Sequence, residues 1–511
     1  MRPRTLAFSL AVLLALARTA GAREGGAAEV EALQKAVQRV IEQAEPSVAC
    51  VLVSRSEAYY RWERRPAADT PGKLGRFDRR AVLRDHGGSY DDKKAEQFRR
   101  YLKGLDLSDP DASPESYGSA VVLDASGLVL TNAHVVRHAT KIFVRLPGGR
   151  GSWADVHAAD PRSDLAVLRL LDRVPGLRPI KLGDGGKVRK GQFVVALTNP
   201  SAAGLRDGPS ASWGIVSNLR HRAPGNLDKM DRAKITLHHY GTLIRYGTLV
   251  KAPTGVNLGC SGGALLNLQG EMIGLTTARG AISGSDAPSG FAVPLDGPLR
   301  RIIEVLRRGE EVEYGFLGVI LEQNAVPGRG VRLLRVTAGG PAQRAGIRAE
   351  DWVVAINGQP VRQNEDLFLL IGMRLAGSEV RIETERPPTW QRRTREVTLA
   401  KYYVQAPSIA ACRPPARGGL RVDYVSILPQ RTAVPPWAPP PPDGVVIREV
   451  VPGSAADKAQ LQVDKVITEV NRRRVTTPAE FYQEMAKANG RAELTVLDAD
   501  RRPERVTIDT R

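Results

Sequence analysis

Two stretches of this chain, 114 residues apart, repeat each other. GGPAQRAGIRAEDWVVAINGQPV (339–361) and GSAADKAQLQVDKVITEVNRRRV (453–475) align without a gap, so Asn357 falls on Asn471 and Val361 on Val475. Self-similarity at one fixed offset means a duplicated domain. Each copy reads as small residues, a short helix, an Ala-Gly-Ile or Ala-Gln-Leu corner, then a strand ending in a turn at the asparagine. A chain of 511 residues has room for three or four domains. The copies begin near residue 312, and whatever else the chain does is encoded upstream.

The upstream stretch richest in chemical signal is VNLGCSGGALLNLQGEMIGLTT (256–277), which sets Ser261 among Gly259, Gly262 and Gly263. Gly259-Cys260-Ser261-Gly262-Gly263 satisfies G-x-S-x-G, a pattern that in α/β-hydrolases needs a helix after the serine and a histidine further downstream. Here a strand, a turn and a second strand follow (ALLN, LQG, EMIGLTT), and all seven histidines precede Ser261. That fold is excluded. The reverse order, His then Asp then Ser, suits a β-barrel scaffold. SAVVLDASGLVLTNAHVV (119–136) reads as two apolar runs about the turn Asp124–Gly127, with His134 just past the second. DPRSDLAVLRL (160–170) puts Asp164 at the mouth of another strand. His138 and Asp160 are neighbours of the same residue types and are read as structural. Singly each residue reads as a turn or packing residue; three matched residues in the right order do not.

These segments, with SDLAVLRL (163–170), GCSGGALLN (259–267) and GFAVPLD (290–296), resemble the HtrA/Deg family of chymotrypsin-fold serine proteases. The likeness runs from about residue 29 to the C-terminus, apart from an insertion. It implies an all-β dominated, multidomain chain: a chymotrypsin-like double β-barrel followed by two PDZ-like α+β domains. The expected boundaries are a protease domain at 29–310 and PDZ-like domains at 312–402 and 415–511. Catalysis would use His134, Asp164 and Ser261, with the Gly259 and Ser261 N–H groups as oxyanion hole. Gly255, six residues before Ser261, would lie at the base of the primary pocket, with Val256, Phe291 and Ala292 around it. No acid stands at that position to pair with Lys or Arg, so the expected preference is a small or medium apolar residue. YGFLGV (314–319) resembles a carboxylate-binding loop, which singles out Gly315, Phe316, Leu317 and Gly318; GGLRV (418–422) is its counterpart. The second copy carries a Pro-rich excursion at 431–443, around PPWAPPPP (435–442). Substrates implied by the resemblance are unfolded or misfolded proteins, the PDZ-like domains would take C-terminal peptides, and the assembly would be a homo-oligomer built on trimers. A catalytically dead scaffold of the same fold, binding peptides without turnover, is the rival reading. The chain departs from the family pattern at Ala252-Pro253-Thr254 and Asn257-Leu258-Gly259-Cys260, where the loop shaping the oxyanion hole is expected to order in its own way.

Residues 1–22 carry Arg2 and Arg4, the apolar run LAFSLAVLLALA and an Ala20-Gly21-Ala22 end, the signature of a cleaved signal peptide. The run is short for a membrane span, and no other segment spans. The mature chain is expected in the periplasm or cell envelope, or secreted beyond it. Three scattered cysteines (Cys50, Cys260, Cys412) exclude a disulfide framework. Without C-x-x-C or H-E-x-x-H, no metal or other cofactor is expected. Formal charge is +19, falling to +16 when Arg2, Arg4 and Arg18 leave with the leader. The basic residues are spread throughout, without the clustering of a nucleic-acid site, so no specific nucleic-acid partner is expected. Val30, Leu33, Val37, Val40 and Ile41 recur at helical spacing before Pro46, and SVACVLVS (47–54) reads as a strand. The charged insertion 55–116 lacks periodicity, and 219–255, with His238 and His239, reads as surface loop.

Overall fold

The computed structural model describes residues 27–56, 106–109, 114–200, 208–223, 236–240, 242–248, 260–278, 289–322, 329–405, 408–431, 442–497 and 501–510. The leader, most of the insertion, Gly255, Val256, Gly259 and all but the end of the 435–442 proline run lie outside the described residues. The chain divides into two compact units: 1–156, 165–224 and 242–297 form one; 157–164, 225–241 and 298–511 form the other.

In the first unit, residues 27–44 are helical, with Val40 and Ala44 buried and Val30 65% exposed. Pro46 falls in the 3₁₀ turn Glu45–Ser47 that ends the helix. Six strands follow: β1 (Val48–Ser54), β2 (Ser116–Val122), β3 (Leu128–Asn132), β4 (Lys141–Arg145), β5 (Gly151–Asp160) and β6 (Leu165–Leu170). They pair in the order β1-β2-β3-β6-β5-β4, and β4 returns to β1. β1 is apolar on both faces and wholly buried, as a continuous run without alternation predicts. Each such buried Val or Leu contributes about 1.5–3 kcal/mol relative to exposure. The second six, β7 (Phe193–Thr198), β8 (Ser210–His221), β9 (Leu243–Thr248), β10 (Ala264–Leu266), β11 (Met272–Thr277) and β12 (Ser289–Pro294), close a barrel in the order β10-β11-β12-β9-β8-β7. The strand–turn–strand pattern read after Ser261 is β10 and β11.

One expectation needs correction. The stretch 219–255 is not simply surface loop: β8 runs to His221, β9 is a barrel strand, and His238 is 1% exposed. Leu243, Ile244 and Tyr246 of β9 are buried. The β8–β9 register shifts twice, with the extra residues on β8, which breaks the period-two signal along the end of β8.

In the second unit the two copies are superposable in topology. The first runs Val319–Leu321, Val331–Val336, Trp352–Ile356, Glu379–Arg386 and Gln391–Thr398, with helix Asn364–Gly372; the second runs Leu420–Tyr424, Val445–Val450, Val466–Val470, Arg491–Leu497 and Pro503–Asp509, with helix Pro478–Lys487. The repeat holds at atomic detail. Asn357 and Asn471 both adopt φ +50, the left-handed region where asparagine is among the few tolerated residues. Asn357 Oδ1 accepts from Arg381 N at 2.9 Å, and Asn471 Oδ1 from Glu493 N at 2.9 Å. The two backbones answer in kind, Asn357 N to Arg381 O at 2.8 Å and Asn471 N to Glu493 O at 2.7 Å. Val361 and Val475 are buried in their respective cores. Replacing Asn357 with Ala should speed hydrogen exchange at Arg381 and leave Glu493 protected; Asn471→Ala should do the reverse. Each loss should amount to about 1–2 kcal/mol of local opening free energy, read by amide exchange.

Candidate active site

β3 ends at Asn132, and the one-turn helix Ala133–Val136 follows at once. Val135 and Val136 are buried, which fixes the turn and leaves His134 half-buried. Ser261 begins the turn ahead of β10 and is 5% exposed. The structure brings these two together: His134 Nε2 lies 3.0 Å from Ser261 Oγ. With Nε2 unprotonated, the serine hydroxyl donates to it, the arrangement a general base requires.

The serine turn is braced from two strands. Ser119 N of β2 donates to Ser261 O at 2.8 Å, while Gly262 N donates to Thr276 O at 2.8 Å and Gly263 N to Thr276 Oγ1 at 2.9 Å. Thr276 Oγ1 donates in turn to Cys260 O. The Ala278 N–H, just past β11, reaches Ser261 Oγ at 2.9 Å. The hydroxyl oxygen therefore accepts from Ala278 while its proton points to His134. Among the described residues the Ser261 N–H meets no acceptor, which leaves it available to a developing oxyanion. Cys260 is half-buried, and burial raises its thiol pKa, only partly offset by a hydrogen bond to Thr198. A thiol held neutral is a poor nucleophile.

Asp164 is 1% exposed and holds φ +58, an uncommon conformation for a residue other than glycine. It directly precedes Leu165, which pairs with Asn132 across β6 and β3. The register thus carries Asp164 and His134 at corresponding strand ends. His138 is exposed and accepts from Arg137 Nε at 3.2 Å; Asp160 is buried and accepts from Ser163 N at 2.8 Å. On β12, Phe291 pairs with Thr277 and lies tilted against His221, ring centroids 4.6 Å apart, and Ala292 pairs with Thr276. Both are buried one strand away from the serine brace. Gly255, Val256 and Gly259 lie outside the described residues.

In the first PDZ-like copy, Gly315 and Phe316 pair with Lys401 and Ala400. Leu317 O accepts from Ala342 N at 3.0 Å, and Gly318 O from Thr337 N at 2.8 Å. Gly318 has φ +80. Among the described residues no acceptor meets the Leu317 or Gly318 N–H.

Sequence reasoning did not single out Ser119, Thr276 or Ala278. They act through backbone atoms or one hydroxyl, and composition carries no trace of that. Gly262 was legible only as a turn residue. Its φ is +94, and a Cβ there would sit 1.9 Å from Ser119 O and 2.5 Å from Thr131 Oγ1. Gly262→Ala should therefore displace the serine turn. Reactivity of Ser261 should fall by about a hundredfold or more, read as the labelling rate with a fluorophosphonate probe, with far-UV circular dichroism unchanged.

The trypsin-like peptidase domain family matches residues 118–275, and the PDZ domain family matches 333–386 and 446–498. The Escherichia coli periplasmic pH-dependent serine endoprotease DegQ is 32% identical over 405 residues, covering 77% of this chain and 81% of its own. A probable periplasmic serine endoprotease DegP-like from Pseudomonas fluorescens is 29% identical, covering 73% and 74%. The solved HtrA-type protease AlgW with tripeptide is 22% identical over 74% of this chain and 98% of its own, with a TM-score of 0.46. With double barrel, duplicated PDZ domains and a relative of this identity and coverage, the chain belongs to the HtrA/Deg family of serine endoproteases.

Proposed function

We propose that Ser261, His134 and Asp164 form the catalytic triad of this endoprotease, and that it acts on unfolded or misfolded proteins after export to the periplasm or cell envelope. The observation that carries the reading is the 3.0 Å approach of His134 Nε2 to Ser261 Oγ. His134 removes the hydroxyl proton as Ser261 attacks the scissile carbonyl, then gives it to the leaving amine. Asp164 holds the imidazole tautomer and stabilises its charged form. The Ser261 and Gly259 N–H groups take the oxyanion, a contribution of a few kcal/mol per donor. Gly255, Val256, Phe291 and Ala292 form the pocket for a small or medium apolar residue. Relatives named as periplasmic support the compartment, and among the described residues no helix is long and apolar enough to cross a membrane.

The domains are read as protease at 29–310 and PDZ-like at 312–402 and 415–511, in a trimer-based homo-oligomer. In the first copy, Gly315, Phe316, Leu317 and Gly318 receive a C-terminal carboxylate on the Leu317 and Gly318 N–H groups, and the peptide adds as a strand beside Val319–Leu321. That strand is at the sheet edge, where its outer hydrogen-bonding groups are open to an added partner.

Residues 23–511 should hydrolyse unfolded casein and be labelled by a fluorophosphonate, and Ser261→Ala should abolish labelling and lower turnover by roughly 10⁴-fold or more. Peptide binding without turnover or labelling would establish the dead scaffold instead. A fluorescent peptide with a free C-terminus should bind the first PDZ-like copy at least about tenfold more tightly than its C-terminal amide, measured by anisotropy.

A further inference from the structure

The turn that carries Asp164 is gripped, within the second unit, by a group no step of the proteolytic reaction uses. Tyr314 is the largest fully buried side chain among the described residues. Its hydroxyl donates to Asp160 Oδ2, 154 residues away in sequence. Asp160 is 2% exposed. The same carboxylate accepts from Ser163 N at 2.8 Å, from Ser163 Oγ at 2.5 Å, and from Arg162 N at 3.3 Å. Tyr314 and both Ser163 donors converge on Oδ2, and Arg162 N reaches Oδ1. Three come from the turn itself; only Tyr314 comes from outside.

The grip extends along the turn. The Arg162 guanidinium lies 4.9 Å from the Tyr314 ring centroid and 4.3 Å from that of Tyr402, a stacking worth more once desolvated. Arg162 O accepts from Leu237 N at 2.8 Å. Upstream, Ala158 and Ala159 pair with Ala410 and Ile409, and His157 O accepts from Ala411 N at 2.9 Å. Tyr314 is itself anchored: its carbonyl accepts from Tyr402 N at 2.7 Å, and it bridges to Leu375. Asp164 follows this turn directly, in a backbone conformation that an aspartate adopts only when its surroundings impose it.

We propose that Tyr314 is a positioning residue for proteolysis, its hydroxyl on Asp160 holding the turn that presents Asp164. The inference rests on the reading of Asp164 as triad member. Burial pushes the Asp160 carboxyl up, against the pull of its Ser163, Tyr314 and Arg162 donors. With one donor gone, that carboxylate is left short in a dry site, and relief comes by loosening the turn. A mobile Asp164 stabilises the imidazolium of His134 less, which slows the proton transfers. Substrate contacts are untouched.

The test compares kcat, KM and the pH profile of kcat/KM for wild type, Tyr314→Phe, Asp160→Ala, the double variant and Asp164→Asn, using a fluorogenic peptide, with thermal melting of each. The expected result for Tyr314→Phe is kcat lowered about tenfold at unchanged KM, with the acid limb moved to lower pH. The double variant should be no worse than the poorer single one, because both remove the same bond. A merely structural role would lower the melting temperature and leave kcat and the acid limb in place, and that outcome overturns the proposal. If Tyr314→Phe alone fails to fold, the double variant, which leaves no buried carboxylate short of a donor, is read by the same criteria. Should Asp164→Asn retain full activity, the triad reading itself falls. An inactive Asp164→Asn beside a Tyr314→Phe of wild-type kcat and pH profile rejects only the positioning role.

Discussion

No side chain fits at Gly262, and the serine site is organised around that vacancy. The Ser119 carbonyl occupies the volume a Cβ would need, so β2 can press against the serine turn closely enough for Ser119 N to hold Ser261 O. Thr276 secures the other side by taking the next two amides. Both clamps hold Ser261 beside His134, the preorganisation that the proposed nucleophile and base require. Thr131 Oγ1 donates to the same Ser119 carbonyl at 2.7 Å, so β3, which ends at the histidine turn, is tied into the same contact. One glycine thus couples the placement of Ser261 and His134.

The two PDZ-like copies share one framework but differ in the loop ahead of the edge strand. In the second, Val451 N and Ala456 N donate to Gly419 O and Gly418 O, matching what Thr337 and Ala342 do to Gly318 and Leu317. The loop ahead of the edge strand differs: Arg417 and Leu420 exchange both backbone hydrogen bonds at 3.0 Å across Gly418 and Gly419. Tyr482 on the flanking helix also places its hydroxyl 3.4 Å from Val422 N. A loop already paired with itself has less to offer an incoming carboxylate, which is why the proposed peptide site is assigned to the first copy.

How much of this was legible depended on the range of the interaction. The order of the candidates His134, Asp164 and Ser261, the hairpin about Asp124–Gly127, β1 and the repeat are local or periodic, and the sequence carries them openly. The Asn357 and Asn471 turns could be paired from spacing alone because each asparagine performs the same bond. β9 carried no alternation to read, because Arg245 interrupts its apolar residues and the adjacent Leu243 and Ile244 are both buried. The clamp residues Ser119, Thr276 and Ala278 were invisible, since their contribution is made by main-chain groups or a single hydroxyl. Tyr314 looked like the first letter of a peptide-binding motif; its bond to Asp160 exists only once residues 154 positions apart are folded together.

The junction of the copies raises a question of cost. Lys401 is 4% exposed, yet its ammonium meets Asp423 at 2.9 Å, Glu313 at 3.1 Å and Glu311 at 3.3 Å. Arg448 bridges Asp423 at 2.8 Å and Glu311 at 2.9 Å. Burial alone would lower the Lys401 pKa; Asp423, Glu313 and Glu311 reverse it and hold the group above its ordinary value. Glu311 is driven below its usual range despite burial, by Lys401 and Arg448, whereas burial keeps Glu313 above it. The network is therefore not uniformly favourable: three acids compete for two bases, and Glu313 bears the deficit. Burying such charges contributes little net stability, since desolvation offsets most of the attraction. What it supplies is discrimination. An apolar junction would tolerate many relative placements of Glu311–Glu313, Lys401 and the Leu420–Tyr424 strand, but a displaced charge here would be left dry and unpaired. The segment that carries Tyr314 begins one residue after Glu313, so the charges that fix this junction also fix the base from which Tyr314 reaches Asp160.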